Sequence, residues 1–247
     1  MIEAPWLEPL LLLLVAPVIG SFLGVVILRL PEARAIVWDR SRCDACGAPL
    51  AWHQLIPLFS WAAASGRCTG CGRPVSPFYP AVELAALAIA ASALFADGIA
   101  AAWLDCLLGW WLLTLAWIDA RSWLLPDSLT LPLLVAGLVE AAVLEPADLV
   151  SRCLGAAAGY GLLRILALLY RARRGFDGLG GGDAKLLGAL GAWVGVFGLS
   201  YVILGAAVSA LCAAGLLRLR GTRLHRHSAL PFGPFLAAAG WLVWMLR

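Results

Sequence analysis

The sequence predicts an all-α polytopic membrane protein of about eight transmembrane helices with a small cytoplasmic zinc-binding loop. Three observations carry this reading. The 247 residues are 62% hydrophobic and only 13% charged, against about 25% charged in a soluble domain. The apolar runs are long and lack period-2 alternation, so helices rather than barrel strands satisfy the backbone in lipid. Four of the seven cysteines fall in two Cys-x-x-Cys pairs inside one polar segment.

The first apolar run, Pro9 to Leu28, has twenty residues and no charge. Glu3 and Glu8 precede it without any Lys or Arg, the reverse of a signal-peptide flank, so the run reads as a retained helix. With that helix at 9–29, the remaining spans read as 79–96, 99–118, 127–144, 149–170, 184–197, 199–217 and 230–246; each is near the roughly 20 residues a bilayer requires, the sixth being short. Asp97-Gly98, Glu145-Pro146 and Pro231 mark boundaries, and Gly198 separates the sixth span from the seventh. The chain divides into a first helix (1–30), a four-cysteine loop (31–78) and a seven-helix membrane part (79–247).

Charge placement tests the count. Segments 30–78, 119–126, 171–183 and 218–229 together hold thirteen arginines, whereas the other set has Arg152 near a helix end and the terminal Arg247. Basic residues collect in cytoplasmic loops, so both termini face outward and the cysteine loop, Asp119 and Asp183 face the cytoplasm. Most of the twelve tryptophans read as interface anchors or packing residues.

Cys43-Asp-Ala-Cys46 and Cys68-Thr-Gly-Cys71 are separated by twenty-one residues, and Gly47 and Gly72 follow the pairs. A glycine there permits a tight turn that points backbone N–H groups at thiolate sulfur. Two such turns supply four soft ligands to a tetrahedral ion, the pattern of a structural zinc site with no open position for water. Disulfides are disfavoured in the reducing cytosol, and no βαβ context supports a redox pair. His53 lies between the pairs and reads as a surface or substrate-contacting group; His225 and His227 belong to a solvated basic loop. Cys106, Cys153 and Cys212 lie singly in apolar segments and read as small buried hydrophobes.

Gly180-Gly181-Gly182-Asp183 opens an apolar run with no charge from Leu186 to Leu217. Asp183 therefore stands at the mouth of a membrane helix, where an ionisable group is a functional candidate; a helix N-cap is the plain alternative. Asp119 ends the third span at the same depth, with an interfacial acid paired to Arg121 as its alternative. Asp127 reads as an N-cap. Two carboxylates in a low-dielectric site share a proton and can activate water with one member while protonating a carbonyl with the other. No Gly-x-Ser-x-Gly elbow is present. Spacing alone leaves open a catalytic dyad or two unrelated acids. Glu83, Asp105, Glu140 and Arg164 read as structural charges, with Arg164 pairing to Glu140 or Glu83 as candidate bridges.

Several stretches in order then carry a resemblance. They are Gly20-Ser21-Phe22-Leu23-Gly24 with Arg29-Leu30-Pro31, the paired cysteines, Tyr79-Pro80 with Glu83, Ile118-Asp119-Ala120 with Leu124-Leu125-Pro126-Asp127, Gly180 to Asp183 with Lys185-Leu186-Leu187, and Pro231-Phe232-Gly233-Pro234. The chain resembles the bacterial prepilin peptidases over nearly its whole length. The resemblance implies an inner-membrane aspartic protease of the Gly-x-Gly-Asp type with periplasmic termini, cutting the basic leader of type IV prepilins or type II secretion pseudopilins after glycine on the cytoplasmic side. Its two catalytic acids map onto Asp119 and Asp183. It also implies methylation of the new N-terminus with S-adenosylmethionine, which would join the structural Zn2+ read from the cysteine spacing. Partners would be the prepilin and the lipid bilayer, with no nucleic acid.

Departures from the family pattern are Arg121 where a second acid is frequent, Trp52-His53-Gln54-Leu55-Ile56-Pro57 between the cysteine pairs, and a short stretch from Pro31 to Cys43. No Gly-x-Gly-x-x-Gly methyltransferase fingerprint follows a strand. Two other classes compete. One is a proton-coupled transporter using Asp119 and Asp183, against which stand their boundary depth and the lack of a repeat. The other is a non-catalytic assembly factor docking through its zinc loop.

Overall fold

The computed structural model describes residues 6–38, 40–174, 180–220 and 230–247. Arg223, His225, Arg226 and His227 of the basic loop, and Glu3, lie outside the described residues. The elements are α1 (Leu7–Arg29), α2 (Phe59–Ala63), α3 (Phe78–Ser122), α4 (Asp127–Leu144), α5 (Leu149–Arg174), α6 (Gly181–Leu219) and α7 (Gly233–Met245), with 3-10 turns at Trp52–Leu55 and Pro146–Asp148. Among the described residues there is no strand, only the isolated bridges Arg42–Pro49 and Arg67–Pro74. Six helical stretches are long and apolar enough to cross a membrane, and α7 is a shorter apolar helix. The chain forms two compact units, Met1–Thr114 and Leu115–Arg247.

In the first unit α1 buries Leu12, Ala16, Gly20, Gly24 and Ile27, one stripe at helical spacing. The stripe works because Gly20 has no side chain: a Cβ there would stand 2.7 Å from the Glu83 backbone and 2.9 Å from Ala86. Small residues at such crossings let membrane helices approach closely. Helix α3 is one continuous assignment with a break at Gly98, φ 68°, a backbone geometry that favours glycine. The break falls where Asp97-Gly98 predicts it, giving Phe78–Ala96 and Gly98–Ser122 as separate spans.

In the second unit α6 runs 39 residues, or about 58 Å if straight, twice the roughly 30 Å hydrocarbon core. It does not run straight. Gly195 has φ 70° and ψ 179°, which bends the helix sharply. Adjacent residues of α7 touch both arms: Ala239 abuts Gly205, and Gly240 abuts Leu190. Those two positions would lie about 22 Å apart on a straight helix. The sixth and seventh spans are therefore both present, with their boundary at Gly195 rather than at Gly198. An uncharged run offers no sequence punctuation, and Gly198 instead makes room for Val194 and Val243.

Helices α5 and α6 meet through backbone. A Cβ on Gly191 would stand 2.2 Å from the Gly155 carbonyl oxygen, and one on Gly159 would stand 2.5 Å from that of Leu187. Trp193 fills the space beside Gly137, donates from Nε1 to the Leu133 carbonyl at 2.9 Å and meets Trp244 edge-on at 5.1 Å. It is a packing residue, as the sequence reading has it.

The buried charges pair differently from the sequence expectation. Arg152, not Arg164, bonds Glu140 and Glu145. Arg247 joins the cluster, 3.5 Å from Glu145 and stacked on Trp244 at 3.2 Å. Arg164 is exposed. Glu83 accepts the Leu58 N–H at 2.7 Å. Because Glu140 is buried and would keep only Arg247, at 3.9 Å, Arg152→Ala is expected to cost about 3 kcal/mol, the low end for breaking a buried pair. Adding Glu140→Leu should recover most of that loss in a detergent unfolding titration.

Cys106 is buried, but Cys153 and Cys212 are exposed on the helices, which corrects the expectation for those two. A lipid-facing position is as apolar as the core, so a small thiol sits there without penalty.

Candidate active site

Asp119 lies near the C-terminal end of α3 and is 5% exposed. The Gly233 N–H, at the start of α7, donates to its Oδ2 at 2.9 Å. It does not depend on Arg121, which points to the exposed surface.

Asp183 lies in the first turn of α6, three residues after the N-cap Gly180. It is thus not the N-cap of the helix, and its carboxylate folds back over Gly180, whose Cβ position is 3.1 Å from Oδ2. A carboxylate in the first turn gains from the helix dipole. Gly182 must be glycine because a Cβ would stand 2.8 Å from Leu125 Cβ. That contact draws the start of α6 to the segment just beyond Asp119.

A second tie does the same. Lys185 Nζ holds both oxygens of Asp127, at 2.6 and 2.8 Å. The N-cap of α4 is Pro126, so Asp127 serves as a helix-to-helix clamp rather than a cap. Asp119 is close enough for its charge to act on Asp183. The structure therefore brings the two acids to one end of one unit, with Gly182, Leu125, Lys185 and Asp127 fixing the approach. An apolar cavity of about 400 Å³ lies between the end of α6 and the start of α7, lined by Leu216, Leu217, Arg220, Leu230, Pro234 and Phe235; Pro234 adjoins Gly233, which bonds Asp119.

The sequence reading quoted Gly233 and Lys185 as motif residues without giving either a task. The signal for Gly233 was a Gly-Pro step opening an apolar run, which marks a helix start with free amides.

In the first unit the four cysteine sulfurs of Cys43, Cys46, Cys68 and Cys71 lie within 4.8 Å of one another. Both pairs adopt the same turn. The Gly47 N–H donates to the Cys43 carbonyl at 2.9 Å and the Gly72 N–H to the Cys68 carbonyl at 2.8 Å, with φ 70° and 71° at the two glycines. A tetrahedral ion with metal–sulfur bonds of about 2.3 Å separates its sulfurs by about 3.8 Å, so the thiolate set fits a metal. Backbone N–H groups of Cys71 and Gly70 hold the Cys68 thiol down, to about 6, which favours the ligating thiolate. His53 is exposed and stacks edge-on against Trp52, outside this cluster. Tyr79 donates its hydroxyl to Asp44 at 3.2 Å, and with the Glu83–Leu58 bond it fastens the cysteine loop to α3.

Residues 14–96 match the bacterial peptidase A24 N-terminal domain, and residues 106–215 match the type IV leader peptidase family. A prepilin leader peptidase/N-methyltransferase of Aeromonas hydrophila is 40% identical over 96% of this chain and 90% of its own. One from Burkholderia pseudomallei is 40% identical over 90% of this chain and 80% of its own, and one from Klebsiella pneumoniae 42% over 78% and 88%. No solved structure matches. With two acids at the mouth of one bundle, a four-thiolate loop, and relatives of this identity along almost its full length, the chain belongs to the type IV leader peptidase family, as a multi-pass inner-membrane protein.

Proposed function

We propose that this chain is an intramembrane aspartic endopeptidase that removes the basic leader of type IV prepilins or type II secretion pseudopilins after glycine. It then methylates the new N-terminal residue with S-adenosylmethionine as donor. The relatives carry both activities in their names. The peptidase half rests on the juxtaposition of Asp119 and Asp183 at one end of the second unit. The transporter and assembly-factor readings have no support in these relatives.

The chemistry follows from one shared proton. The ionised acid takes a proton from water as its oxygen adds to the scissile carbonyl carbon. The protonated acid gives its proton to the carbonyl oxygen, forming a gem-diol. As the C–N bond breaks, the first acid delivers its proton to the leaving amine. The second recovers one from a gem-diol hydroxyl, and the dyad returns to its starting state. The apolar cavity between α6 and α7 suits the hydrophobic segment that follows a basic leader. In this reading both termini are periplasmic, the dyad and the cysteine loop are cytoplasmic, and residues 31–78 form a loop module between the first helix and the seven-helix part.

The metal is proposed to be zinc, held by Cys43, Cys46, Cys68 and Cys71 and serving to fold a loop too small for its own core. About one zinc per chain is expected in the purified protein, by the four-ligand rule. Cys46→Ser with Cys71→Ser should lose the metal and expose residues 31–78 to protease while the helices persist. Active protein without metal would remove zinc from the account. S-adenosylmethionine, when bound, supplies the methyl group to the freed amine. Among the described residues no strand-and-glycine cradle of the dinucleotide-binding kind exists, and no residue is assigned to the donor.

The deciding experiment incubates membranes bearing this chain with a prepilin, with and without S-adenosylmethionine. Leader removal in both conditions, and a 14 Da mass gain on the mature N-terminus only with the donor (the mass of one methylene, about 14 Da, by the arithmetic of methyl-for-hydrogen exchange), is the expected result. Failure across the pilins and pseudopilins of the source organism would overturn it.

A further inference from the structure

We propose that the Gly233 N–H, the first amide of α7, is a positioning group that holds Asp119 as the ionised member of the dyad and leaves Asp183 to carry the shared proton. This rests on the dyad reading above and assigns its two roles, which symmetry between two aspartates leaves open.

The argument is an asymmetry of hydrogen bonding. Asp119 Oδ2 accepts the Gly233 N–H at 2.9 Å in a buried contact. The first amides of a helix have no partner within it, so this N–H is free to serve a carboxylate. A donor aimed at an acid favours its charged form, and such charge-assisted bonds are stronger than neutral ones. Asp183 accepts no hydrogen bond among the described residues; burial and the charge of Asp119 are what act on it. Both acids stand at a helix N-terminus, Asp183 in the first turn of α6 and Asp119 opposite α7. The dipoles therefore do not separate them, and the direct bond does.

Room at position 233 is also specified. A Cβ there would stand 2.7 Å from Asp119 Oδ2, 2.9 Å from Cγ and 3.1 Å from Cβ. Gly233 has no left-handed φ, so what the site requires is space for the carboxylate rather than an unusual backbone. Pro234 follows in the first turn, where its fixed φ suits a helix start and its missing N–H leaves no further orphan donor. In the reaction Asp119 then takes the proton from water, and Asp183 protonates the carbonyl oxygen.

Gly233→Ala keeps the amide but displaces the carboxylate. Its kcat for leader cleavage should fall about 100-fold, the scale of one misplaced catalytic group, with KM within about three-fold of wild type. A second variant replaces the amide itself: glycolic acid at 233, introduced by nonsense suppression, turns the N–H into an ester oxygen and adds no atoms. It should lose at least about 10-fold in kcat, as expected for one bond to a charged group. If Gly233→Ala does not fold, the ester alone decides. Wild-type kcat in the folded ester variant overturns the proposal, as does a loss confined to KM. Asp119→Asn and Asp183→Asn run in the same assay: if either cleaves normally the dyad itself falls, whereas inactive Asn variants beside a fully active ester variant remove only the role of Gly233.

Discussion

Asp183→Asn is expected to reduce leader cleavage by at least about 10³-fold, within the range that acid–base groups contribute, while the protein remains folded. Asparagine has nearly the same volume, and Asp183 accepts no hydrogen bond among the described residues whose loss would weaken the start of α6. Asp119→Asn should behave alike, because an amide oxygen still accepts the Gly233 N–H. The Lys185–Asp127 clamp and the Gly182–Leu125 contact are untouched by either change. The pair of results is informative only with a measure of folding alongside, so the unfolding midpoint in detergent is read from the same preparations. Normal processing by either variant would end the dyad account. Proton flux through liposomes bearing the wild-type protein would then be the next measurement.

The second large effect has nothing to do with chemistry. Gly191→Ala is expected to destabilise the second unit by about 3 kcal/mol, the upper end for overpacking, and Gly191→Val to prevent recovery of folded protein. The added carbon would meet the Gly155 carbonyl oxygen at 2.2 Å and its carbon at 2.4 Å. Those atoms are backbone and have no rotamer to escape into, so the helices α5 and α6 must separate. Gly161→Ala is the contrast. It also lies on α5, nothing stands within 4 Å of its Cβ position, and the change should be neutral or stabilising by up to about 1 kcal/mol through helix propensity. Equal behaviour of the two alanine variants would show that the close crossing is not what holds this unit together.

Much of the site was legible because charge is costly in lipid. Asp119, Asp183 and the basic loops stand out against apolar runs, and the paired cysteines announce their turns through Gly47 and Gly72. What stayed hidden depends on which residues meet across the fold. Asp119 and Gly233 are 114 residues apart, and Lys185 and Asp127 are 58 apart. No local pattern told Asp127 the clamp from Asp127 the cap. Glu140 had Arg164 as a nominated partner, and Arg152 and Arg247 took the place. The turn within α6 was expected at Gly198, but glycine also stands at 188, 191 and 195, and only the backbone angle separates the one that bends from those that merely make room.

That turn has a consequence for where the chain can be lengthened. The arms of α6 are joined at a single residue, Gly195, with no connecting loop between them. With no loop to absorb extra residues, the angle between the arms is set by the backbone of Gly195 and by the α7 residues that touch both arms. A soluble insertion at 195 should therefore prevent recovery of folded protein, while the same insertion after Leu219, where the helix ends, should be tolerated.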